Sequence, residues 1–418
     1  MKYNKWTVAL AALGVVSFAS AAKAEEQASS VMTALASTTL SGYVDTSAQW
    51  NVGTGNNNLP PYKFGGTSKA DGFNLNVLQL RIDKPLDEQD WAAGYRADLW
   101  FGPDANVLGT TSTGAFSSDF AVRQAYVALR APIGTGLDFK MGVFDSIIGY
   151  ESIEAGNNPN FTRSYGHSIE PQTHTGLLAT YRFCDFFSAA AGVADTWSPI
   201  INDRSFFPLN AGGAQATAES YKTYMGSVAL TAPDEWGFLS GSTLYAGIVN
   251  GFADRSDLDT TAGSSDSTTV TSYYVGATIA TPVTGLRAGA SFDLLDIHHA
   301  ANNTWAVAGY LSYQATEKLS FHGRAEYFKD KLDATDALLF NPDGGLGGAG
   351  KAEVLALTAT AQYDLWKNVI SRLEFRWDHS LLGNDLFGGD PNAAAGTADA
   401  AADLQNAWMV ALNVIYKF

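Results

Sequence analysis

The chain has 418 residues, of which 42 are acidic and 26 are basic, and its formal net charge is −16. This acidic balance argues against a nucleic-acid-binding surface, because phosphate contacts require clustered basic residues. The single cysteine, Cys184, excludes an internal disulfide and lies in a predicted tight turn. Beyond the N-terminus, no stretch approaches 18 consecutive apolar residues, which excludes a bundle of transmembrane helices.

The N-terminus is typical of a secretory signal peptide. Lys2 and Lys5 precede a short apolar run at 7–19, and Ala22-Lys23-Ala24 is a small-x-small cleavage site. A membrane anchor is disfavoured, because a spanning helix requires roughly 20 apolar residues. We predict a signal peptide at 1–24, a short periplasmic segment at 25–37 and one large domain at 38–418. Removing the signal leaves 23 basic against 42 acidic residues, a net charge of −19.

The rest of the sequence contains sixteen short segments in which apolar and polar residues alternate, the pattern of β-strands. In chain order they are 38–50, 73–84, 91–102, 120–130, 137–145, 173–183, 186–196, 220–232, 238–251, 271–281, 286–297, 304–315, 319–330, 351–363, 370–380 and 405–418. No linker divides this domain. The sequence therefore predicts a single all-β domain.

The connections alternate between tight turns, such as 233–237, and long polar stretches. The long stretches are 51–72, 103–119, 146–172, 197–219, 252–270, 331–350 and 381–404. Outer-membrane barrels have short periplasmic turns and long extracellular loops, and an even strand number places both termini in the periplasm. We therefore predict a transmembrane antiparallel β-barrel of about 16 strands, surrounded by outer-membrane lipids.

The two faces of the strands support a barrel over a soluble β-sandwich, which would also show alternation. The last strand places Trp408, Val410, Leu412, Val414, Tyr416 and Phe418 on one face, and Met409, Ala411, Asn413 and Lys417 on the other. Segment 370–380 alternates Leu373, Phe375 and Trp377 with Arg372, Glu374, Arg376 and Asp378. A lipid-facing Arg or Lys near the midplane costs about 2–4 kcal/mol, so these charges are expected to point inward. Tryptophans near strand ends suggest interfacial girdles, namely Trp50, Trp91, Trp100, Trp305, Trp366, Trp377 and Trp408.

A barrel of this strand number encloses an aqueous channel unless it is plugged, and residues 25–37 are too few to form a plug. Loop 146–172 is the best candidate for a constriction, because it is long and rich in charged and aromatic residues. Loop carboxylates facing strand-borne arginines, Arg123 among them, would create a transverse field that selects solutes by charge and size. The alternative is that the loop only caps the outside. The pore and constriction candidates are Glu151, Glu154, Arg163, Glu170, His174, Arg96, Asp98, Arg182, Arg287, Arg324, Glu326, Arg372, Glu374, Arg376 and Asp378.

Residues 158–176 read Asn-Pro-Asn-Phe-Thr-Arg-Ser-Tyr-Gly-His-Ser-Ile-Glu-Pro-Gln-Thr-His-Thr-Gly. This segment resembles the Asn…Ser/Thr-Arg-Ser-Tyr…Pro…His-Thr-Gly segment of the putative beta-barrel porin-2 family, the OmpL-like porins. Gly142-Val143-Phe144-Asp145 and Arg123-Gln124-Ala125-Tyr126-Val127 are also similar to that family. The resemblance extends over most of the mature chain but is specific only around 120–182, and Ala194-Asp195-Thr196-Trp197 departs from an Asn-Gly-Trp type of loop start. It implies an outer-membrane channel for small solutes, with structural or pore-lining roles for Asn158, Arg163, Ser164, Tyr165, Pro171, His174 and Gly176.

Motifs for other chemistry are weak. Ser320 and His322 lie two residues apart on a strand, but no nucleophile elbow or orienting acid accompanies them. The pair His298-His299 lacks the spacing of a zinc motif, and Asp254–Asp266 lacks the glycine and closing glutamate of an EF-hand. The glycine-rich stretch 344–350 has no following Lys-Ser/Thr, so it does not indicate nucleotide binding. We expect no catalytic, cofactor or metal site.

The sequence therefore predicts a porin, not an enzyme, that passes small hydrophilic solutes and ions by passive diffusion. Two alternatives remain open: a structural or adhesive surface barrel with a closed lumen, and an uptake channel for one substrate such as an oligosaccharide. Predicted inward aromatics, Tyr126, Phe144, Tyr310 and Phe328, keep the second alternative open. A homotrimer is expected only by analogy with other 16-stranded porins.

Overall fold

The structure is a computed structural model that describes residues 37–53, 57–110, 119–205, 220–254, 267–297, 303–332, 350–390, 392–393, 397 and 399–418. Within these residues sixteen strands form one closed antiparallel barrel, each paired with its sequence neighbours and β1 with β16. The predicted all-β barrel is confirmed. The strands are β1 (Thr39–Asn51), β2 (Gly72–Lys84), β3 (Ala93–Phe101), β4 (Phe120–Ala131), β5 (Leu137–Asp145), β6 (Thr173–Arg182), β7 (Phe187–Ala194), β8 (Thr223–Thr231), β9 (Thr243–Asp254), β10 (Ser267–Ala280), β11 (Leu286–Ile297), β12 (Asn303–Gln314), β13 (Leu319–Leu332), β14 (Gly350–Tyr363), β15 (Val369–Ser380) and β16 (Asn406–Lys417).

The helices of the described chain are short and lie in the connections. They are α1 (Pro103–Leu108), α2 (Tyr165–Ile169) and three 3₁₀ turns, Thr67–Lys69, Ala155–Asn157 and Asp234–Leu239. None of the helices in the described ranges is long and apolar enough to cross a membrane.

The connection between β8 and β9 is longer than the sequence suggested. The predicted turn at 233–237 is part of a 3₁₀ segment, Asp234–Leu239, and β9 begins only at Thr243. Gly237 adopts φ 62° and ψ −122°, a conformation that interrupts the helical turn and is open to glycine. The chain therefore needs several more residues to reverse direction than a two-residue hairpin would.

The alternation of burial along the strands agrees with lipid outside and polar groups inside. On β16, Leu412 is 45% exposed, whereas its neighbours Ala411 and Asn413 are fully buried. Trp408 and Phe418 are exposed as expected, but the expected girdle position of Trp100 is wrong. Trp100 is 1% exposed and its indole N–H donates to Gln79 Oε1 at 2.7 Å, because it shares the inward parity of Asp98 on β3.

The ends of the chain close the barrel. The amide of Phe418 donates to the carbonyl of Gly42 at 3.0 Å, and the amide of Gly42 donates to Phe418 at 2.9 Å. This reciprocal pair continues the β1–β16 register, which runs from Tyr43 opposite Lys417 to Asn51 opposite Met409. With the seam paired, the barrel presents no free strand edge there.

The apolar core lies inside the barrel. Phe144 on β5 and Phe328 on β13 are fully buried and belong to one cluster with Ile147, Ile148 and Tyr165 of the connection between β5 and β6. Burying a large apolar side chain contributes about 1.5–3 kcal/mol, so this cluster favours holding that connection within the lumen. The predicted inward aromatics Phe144 and Phe328 therefore pack against the loop.

Candidate pore constriction

Loop 146–172 leaves β5, crosses the lumen and returns to β6. Its middle part contacts the opposite wall, where α2 packs on β11, β12 and β13. Tyr150 stacks on Tyr310 of β12 with ring centroids 4.1 Å apart, and Tyr165 stacks on Phe328 of β13 at 4.8 Å. The loop thus spans the bore instead of capping the outside.

Carboxylates on the wall hold the loop by its backbone amides. Glu374 on β15 accepts hydrogen bonds from the amides of Phe161 at 2.6 Å and Thr162 at 2.9 Å. Glu326 on β13 accepts from the amides of Tyr165 at 3.0 Å and Gly166 at 2.9 Å, at the start of α2. These charged acceptors satisfy amides that would otherwise be buried without a partner.

Arginines on the same wall hold the loop by its carbonyls. Arg372 donates to the carbonyls of Ala155 at 3.0 Å and Asn158 at 2.7 Å. Arg324 donates to the Thr162 carbonyl at 2.7 Å, and Arg376 donates to the Arg163 carbonyl at 2.7 Å. Together with Glu326 and Glu374, these arginines form what we call the backbone clamp.

Two further contacts tie side chains of the loop to this wall. Glu151 accepts from Arg324 at 2.8 Å and from the Ser164 amide at 2.8 Å. Burial alone would raise the pKa of Glu151, but Arg324, His167, Arg163 and the hydrogen bond from the Ser164 amide together hold the pKa below its usual range. Asp378 accepts from the Tyr165 hydroxyl at 2.7 Å and pairs with Arg376 at 2.9 Å.

On β2 to β5 a second group of charges faces the loop, and we call it the charge cluster. Its members are Arg81, Asp98, Arg123, Asp145 and the loop residue Glu154. Arg123 donates through Nη1 to Asp98 and to Glu154, each at 2.8 Å, and also pairs with Asp145. Arg81 donates to Asp98 at 2.7 Å and 2.9 Å and also pairs with Glu154. Burial alone would raise the pKa of Glu154, but Arg123 and Arg81 hold it below its usual range.

A β-bulge gives this cluster its geometry. The β3–β4 register shifts between Asp98 and Leu99, so that Asp98 faces Gln124 while Leu99 faces Val122. The extra residue, Arg123, is therefore left between two paired positions, and both Arg123 and Gln124 are buried inside the barrel. Gln124 also donates to Asp98 at 2.9 Å. A strictly alternating strand would have sent one of these two side chains toward lipid.

Three other candidates occupy buried positions with different partners. Arg163 is 3% exposed and donates to two carbonyls of its own loop, those of Ile153 at 2.7 Å and Phe161 at 3.0 Å. Arg96 donates to Asp83 at 3.1 Å on the periplasmic side of the charge cluster. His174 is fully buried at the start of β6, beside the ring of Phe144.

Two candidates do not join the constriction. Arg182 ends β6 and pairs with Asp185 in the adjacent turn, and its side chain is 40% exposed. Arg287 is the second residue of β11 and is exposed next to the short turn 281–285. Both lie at the periplasmic ends of their strands, whereas loop 146–172 enters from the other end.

Two cavities of 610 and 510 Å³ lie on the periplasmic side of the loop and share Asp83. The basic side chains that line them are Arg81, Lys84, Arg96, Arg123, Arg130, Lys140, Arg182 and Lys417. The acidic side chains that line them are Asp83, Glu88, Asp138, Asp145, Glu151, Glu154 and Glu170. We call the two cavities together the vestibule, and its lining is close to charge balance.

The connection between β1 and β2 covers the loop from the extracellular side. The amide of Lys63 donates to Ser168 Oγ at 2.8 Å, and the guanidinium of Arg376 lies 4.1 Å from the ring centroid of Tyr62. Phe64 packs against Trp100 with centroids 5.8 Å apart. Sequence reasoning missed this second layer, because no residue pattern in 51–72 distinguishes an inward from an outward fold.

The side chains considered for other chemistry are placed as follows. Ser320 Oγ lies 3.0 Å from His322 Nε2, while His322 Nδ1 lies 2.9 Å from the Ser312 hydroxyl, so the orienting position holds a hydroxyl and not a carboxylate. No group of three or more His, Cys, Asp or Glu residues in the described part of the chain is arranged to hold a metal ion. Residues 298–299, 255–266 and 344–349 lie outside the described residues.

The family model described as putative beta-barrel porin-2, OmpL-like, matches residues 37–416. The chain belongs to this family. It is therefore an outer-membrane porin that forms a channel for passive diffusion. No curated protein sequence matches the chain.

Solved structures share the fold of this porin at low sequence identity. The outer membrane channel DcaP of Acinetobacter baumannii has a TM-score of 0.55 and 13% identity, over 91% of this chain and 97% of that one. The anion-selective porin from Comamonas acidovorans has a TM-score of 0.52 and 13% identity, over 91% and 99%. A trimer form of OmpT, an outer membrane protein of Vibrio cholerae, has a TM-score of 0.52 and 12% identity, also over 91% and 99%.

Proposed function

We propose that this porin passes small neutral and zwitterionic solutes, and ions of both signs, through the vestibule, and that loop 146–172 sets the size limit. The observation that carries this proposal is the lining of the vestibule, where eight basic side chains face seven acidic ones. Charges of both signs along one path attract both ends of a zwitterion and give neither ion a strong advantage. We expect only a small preference for anions.

The candidate residues divide into two roles in this proposal. Arg324, Glu326, Arg372, Glu374 and Arg376 position the loop through the backbone clamp. Four members of the charge cluster and Arg96 line the path of the solute, namely Arg81, Arg96, Arg123, Asp145 and Glu154. Substitutions in the first group are therefore expected to change pore size. Substitutions in the second group are expected to change selectivity, and those that break the contacts of Glu154 with Arg81 or Arg123 should also weaken the docking of the loop.

We also propose that the signal peptide is cleaved, that the barrel has no catalytic activity and that it assembles as a trimer. Cleavage after Ala24 would give a mature chain that begins at Glu25, which N-terminal sequencing of the outer-membrane form would test. The protein acts as a channel without catalysis, cofactor or bound metal. A homotrimer is proposed because OmpT of Vibrio cholerae, which has the same fold, is described in a trimer form.

Single-channel recording in a planar bilayer tests the proposal. The purified mature protein should give steady ohmic steps, and a salt gradient should give a small reversal potential on the anion side. Glu154→Gln removes one acidic lining group and should shift the reversal potential further toward anions, whereas Glu317→Gln on an exposed turn should not. A strongly cation-selective pore would contradict the charge argument, and inserted protein without steps would favour a closed lumen.

Liposome swelling separates a general porin from a substrate-specific channel. For a general porin, the rate should fall smoothly with solute size across amino acids, monosaccharides and disaccharides. One oligosaccharide that enters much faster than its size predicts, and that blocks the ion current at low concentration, would instead support the uptake-channel alternative.

A further inference from the structure

Two buried carboxyl groups meet where the constriction loop returns to the wall. Glu170 follows α2 in the loop and is 7% exposed, and Asp293 lies on the inner face of β11 and is 3% exposed. The two carboxyl groups lie within hydrogen-bonding reach of each other. Two ionised carboxylates cannot hydrogen-bond, because neither has a donor. The contact therefore requires one proton between them.

The backbone around the pair leaves room for it on both sides. A Cβ on Gly166 would lie 2.5 Å from Asp293 Oδ2, and a Cβ on Gly149 would overlap Glu170 Oε2. Gly149 also adopts φ +117°, which other residues rarely adopt. A side chain at Gly166 would displace Asp293, and one at Gly149 would displace Glu170. Both glycines are therefore needed for the two carboxyl groups to hold these positions.

The groups around the pair come from every element packed against it. His167 Nδ1 of α2 lies 3.4 Å from Glu170 Oε2, and neither ring nitrogen has a hydrogen-bond partner in the described structure. The other titratable and charged neighbours are Glu151 with its partner Arg324, Glu326 on β13, Tyr274 on β10 and Tyr310 on β12, with Arg163 and Lys63 facing His167. Neither Glu170 nor Asp293 forms an ion pair with a lysine or arginine in the described residues. Burial and Arg163 lower the pKa of His167 to about 3, so the ring is neutral and a proton is the counter-charge left to the pair.

We propose that Glu170 and Asp293 share one proton and form a pH-dependent latch that holds the constriction loop against β11, and that its loss at alkaline pH releases the loop and widens the pore. The latch deepens the proposed function, since it rests on loop 146–172 being the element that sets pore size. Without the proton, two like charges would be buried in contact, which the low dielectric makes strongly unfavourable.

The direction of the pH dependence follows from proton linkage. Burial and the neighbouring Asp293 carboxyl raise the pKa of Glu170 well above its usual range. In an undocked loop the group returns to about 4.3, so the docked state binds one more proton above that pH. Burial and Arg163 lower the pKa of His167 to about 3 in the docked loop. Below about pH 6.5 the undocked loop therefore binds one more proton at His167 than the docked loop does. The two effects cancel between about 4.3 and 6.5.

Between about pH 6.5 and 8 the Glu170 effect remains, whereas above about pH 8 the buried Lys63, whose pKa burial lowers to about 8, opposes it. In that window the ratio of released to docked loop should rise about tenfold for each pH unit, as long as the docked pair keeps the proton. The test is single-channel recording of the mature protein between pH 6.5 and 8, with hydrogen exchange at the amides of Tyr165 and Gly166. Both amides are protected by Glu326 only while the loop is docked.

The variant Glu170→Gln keeps a hydrogen-bond donor to Asp293 without a titrating proton, and Asp293→Asn does the same from the other side. In wild type and in the control Glu317→Gln, the ratio of wide to narrow conductance states should rise about tenfold per pH unit. In both latch variants this ratio should not change with pH, and the narrow state should dominate. A ratio that is independent of pH in wild type, or one that still rises in Glu170→Gln, would overturn the latch.

A slope that disappears with a chelator would also overturn the latch, because a divalent cation would then replace the proton. The hydrogen-exchange readout separates the latch from the proposed function. If loop opening, measured by hydrogen exchange, increases with pH but the protein does not conduct, the latch is supported and the channel is rejected. If the protein conducts but loop opening is independent of pH, only the latch is rejected.

Discussion

Replacing Glu374 by alanine removes the acceptor that holds the centre of the constriction loop. The carboxylate accepts the amides of Phe161 at 2.6 Å and Thr162 at 2.9 Å, together with the hydroxyls of Thr162 at 2.6 Å and Thr360 at 2.7 Å. The hydroxyls can rotate to other partners, but the two amides cannot. Each unsatisfied buried amide costs about 1–3 kcal/mol, so docking of the loop should weaken by about 2–6 kcal/mol.

Trypsin provides a direct assay for this loss. Arg163 is 3% exposed in the docked loop, and its peptide bond to Ser164 is therefore protected. In Glu374→Ala the segment should leave the wall, and trypsin should cut after Arg163 while the barrel stays intact, because the strand ladders are unchanged. Mass spectrometry of the fragments identifies the cut, and single-channel recording should show a larger conductance.

Two matched variants control the experiment. Glu374→Gln retains one acceptor oxygen and should give a smaller effect, since each carboxylate oxygen accepts two of the four bonds. Glu353→Ala removes a wall carboxylate that contacts Lys329 and Tyr327 on the neighbouring strand, away from the loop, and should leave Arg163 protected. If Glu374→Ala remains resistant at Arg163 and conducts like wild type, the backbone clamp does not hold the loop.

Three other predictions follow from the charge cluster and the orientation of the strands. Arg123→Met should weaken the docking of the loop by about 3–5 kcal/mol, measured as a lower urea midpoint for tryptic release of the loop. Arg123→Lys should not restore docking, because an ammonium group cannot reproduce the planar guanidinium that pairs with three carboxylates. The lowered pKa of Glu154 stabilises the docked loop above about pH 4.3, so hydrogen exchange at the loop amides should exceed the intrinsic rate trend as the pH falls below that value. Glu154→Gln should already show tryptic release of the loop at pH 7. Brominated lipids should quench Trp408 and not the buried Trp100, so Trp408→Phe should reduce the quenched fluorescence and Trp100→Phe should leave it unchanged.

The barrel could be predicted because its evidence is local and repeated. Each strand carries its own two-residue periodicity, and sixteen such segments with alternating connection lengths leave few other folds. The exceptions have identifiable causes. The start of β9 was misplaced because the 3₁₀ turn at Asp234–Leu239 has no distinctive residue pattern. Trp100 was assigned to a girdle from its position near a strand end, although the parity of Asp98 already placed it inside.

The constriction could be predicted only in part. Most of the charged residues predicted to face the lumen do contact loop 146–172, and their role in a constriction stays a prediction. The sequence analysis assumed that charges would face charges across the bore. The structure instead pairs Arg372 and Glu374 with backbone groups of the loop, and backbone contacts leave no trace in a sequence. Arg81, Asp145 and Asp293 were missed for a related reason. Each becomes significant only through a partner that is distant in sequence. The adjacent polar residues Arg123 and Gln124 were the one available signal of the bulge.

The backbone clamp also bears on how this barrel can change over evolutionary time. Docking at Tyr165 and Gly166 requires those residues, but the wall holds residues 155–162 through the carbonyls of Ala155 and Asn158 and the amides of Phe161 and Thr162, so docking of that stretch depends less on its side chains. Substitutions there can alter the surface that a passing solute meets while the loop keeps its course across the lumen. The loop can therefore vary in sequence while the wall that docks it stays the same. Related barrels with the same wall can differ in the solutes they admit through a few substitutions in this one segment.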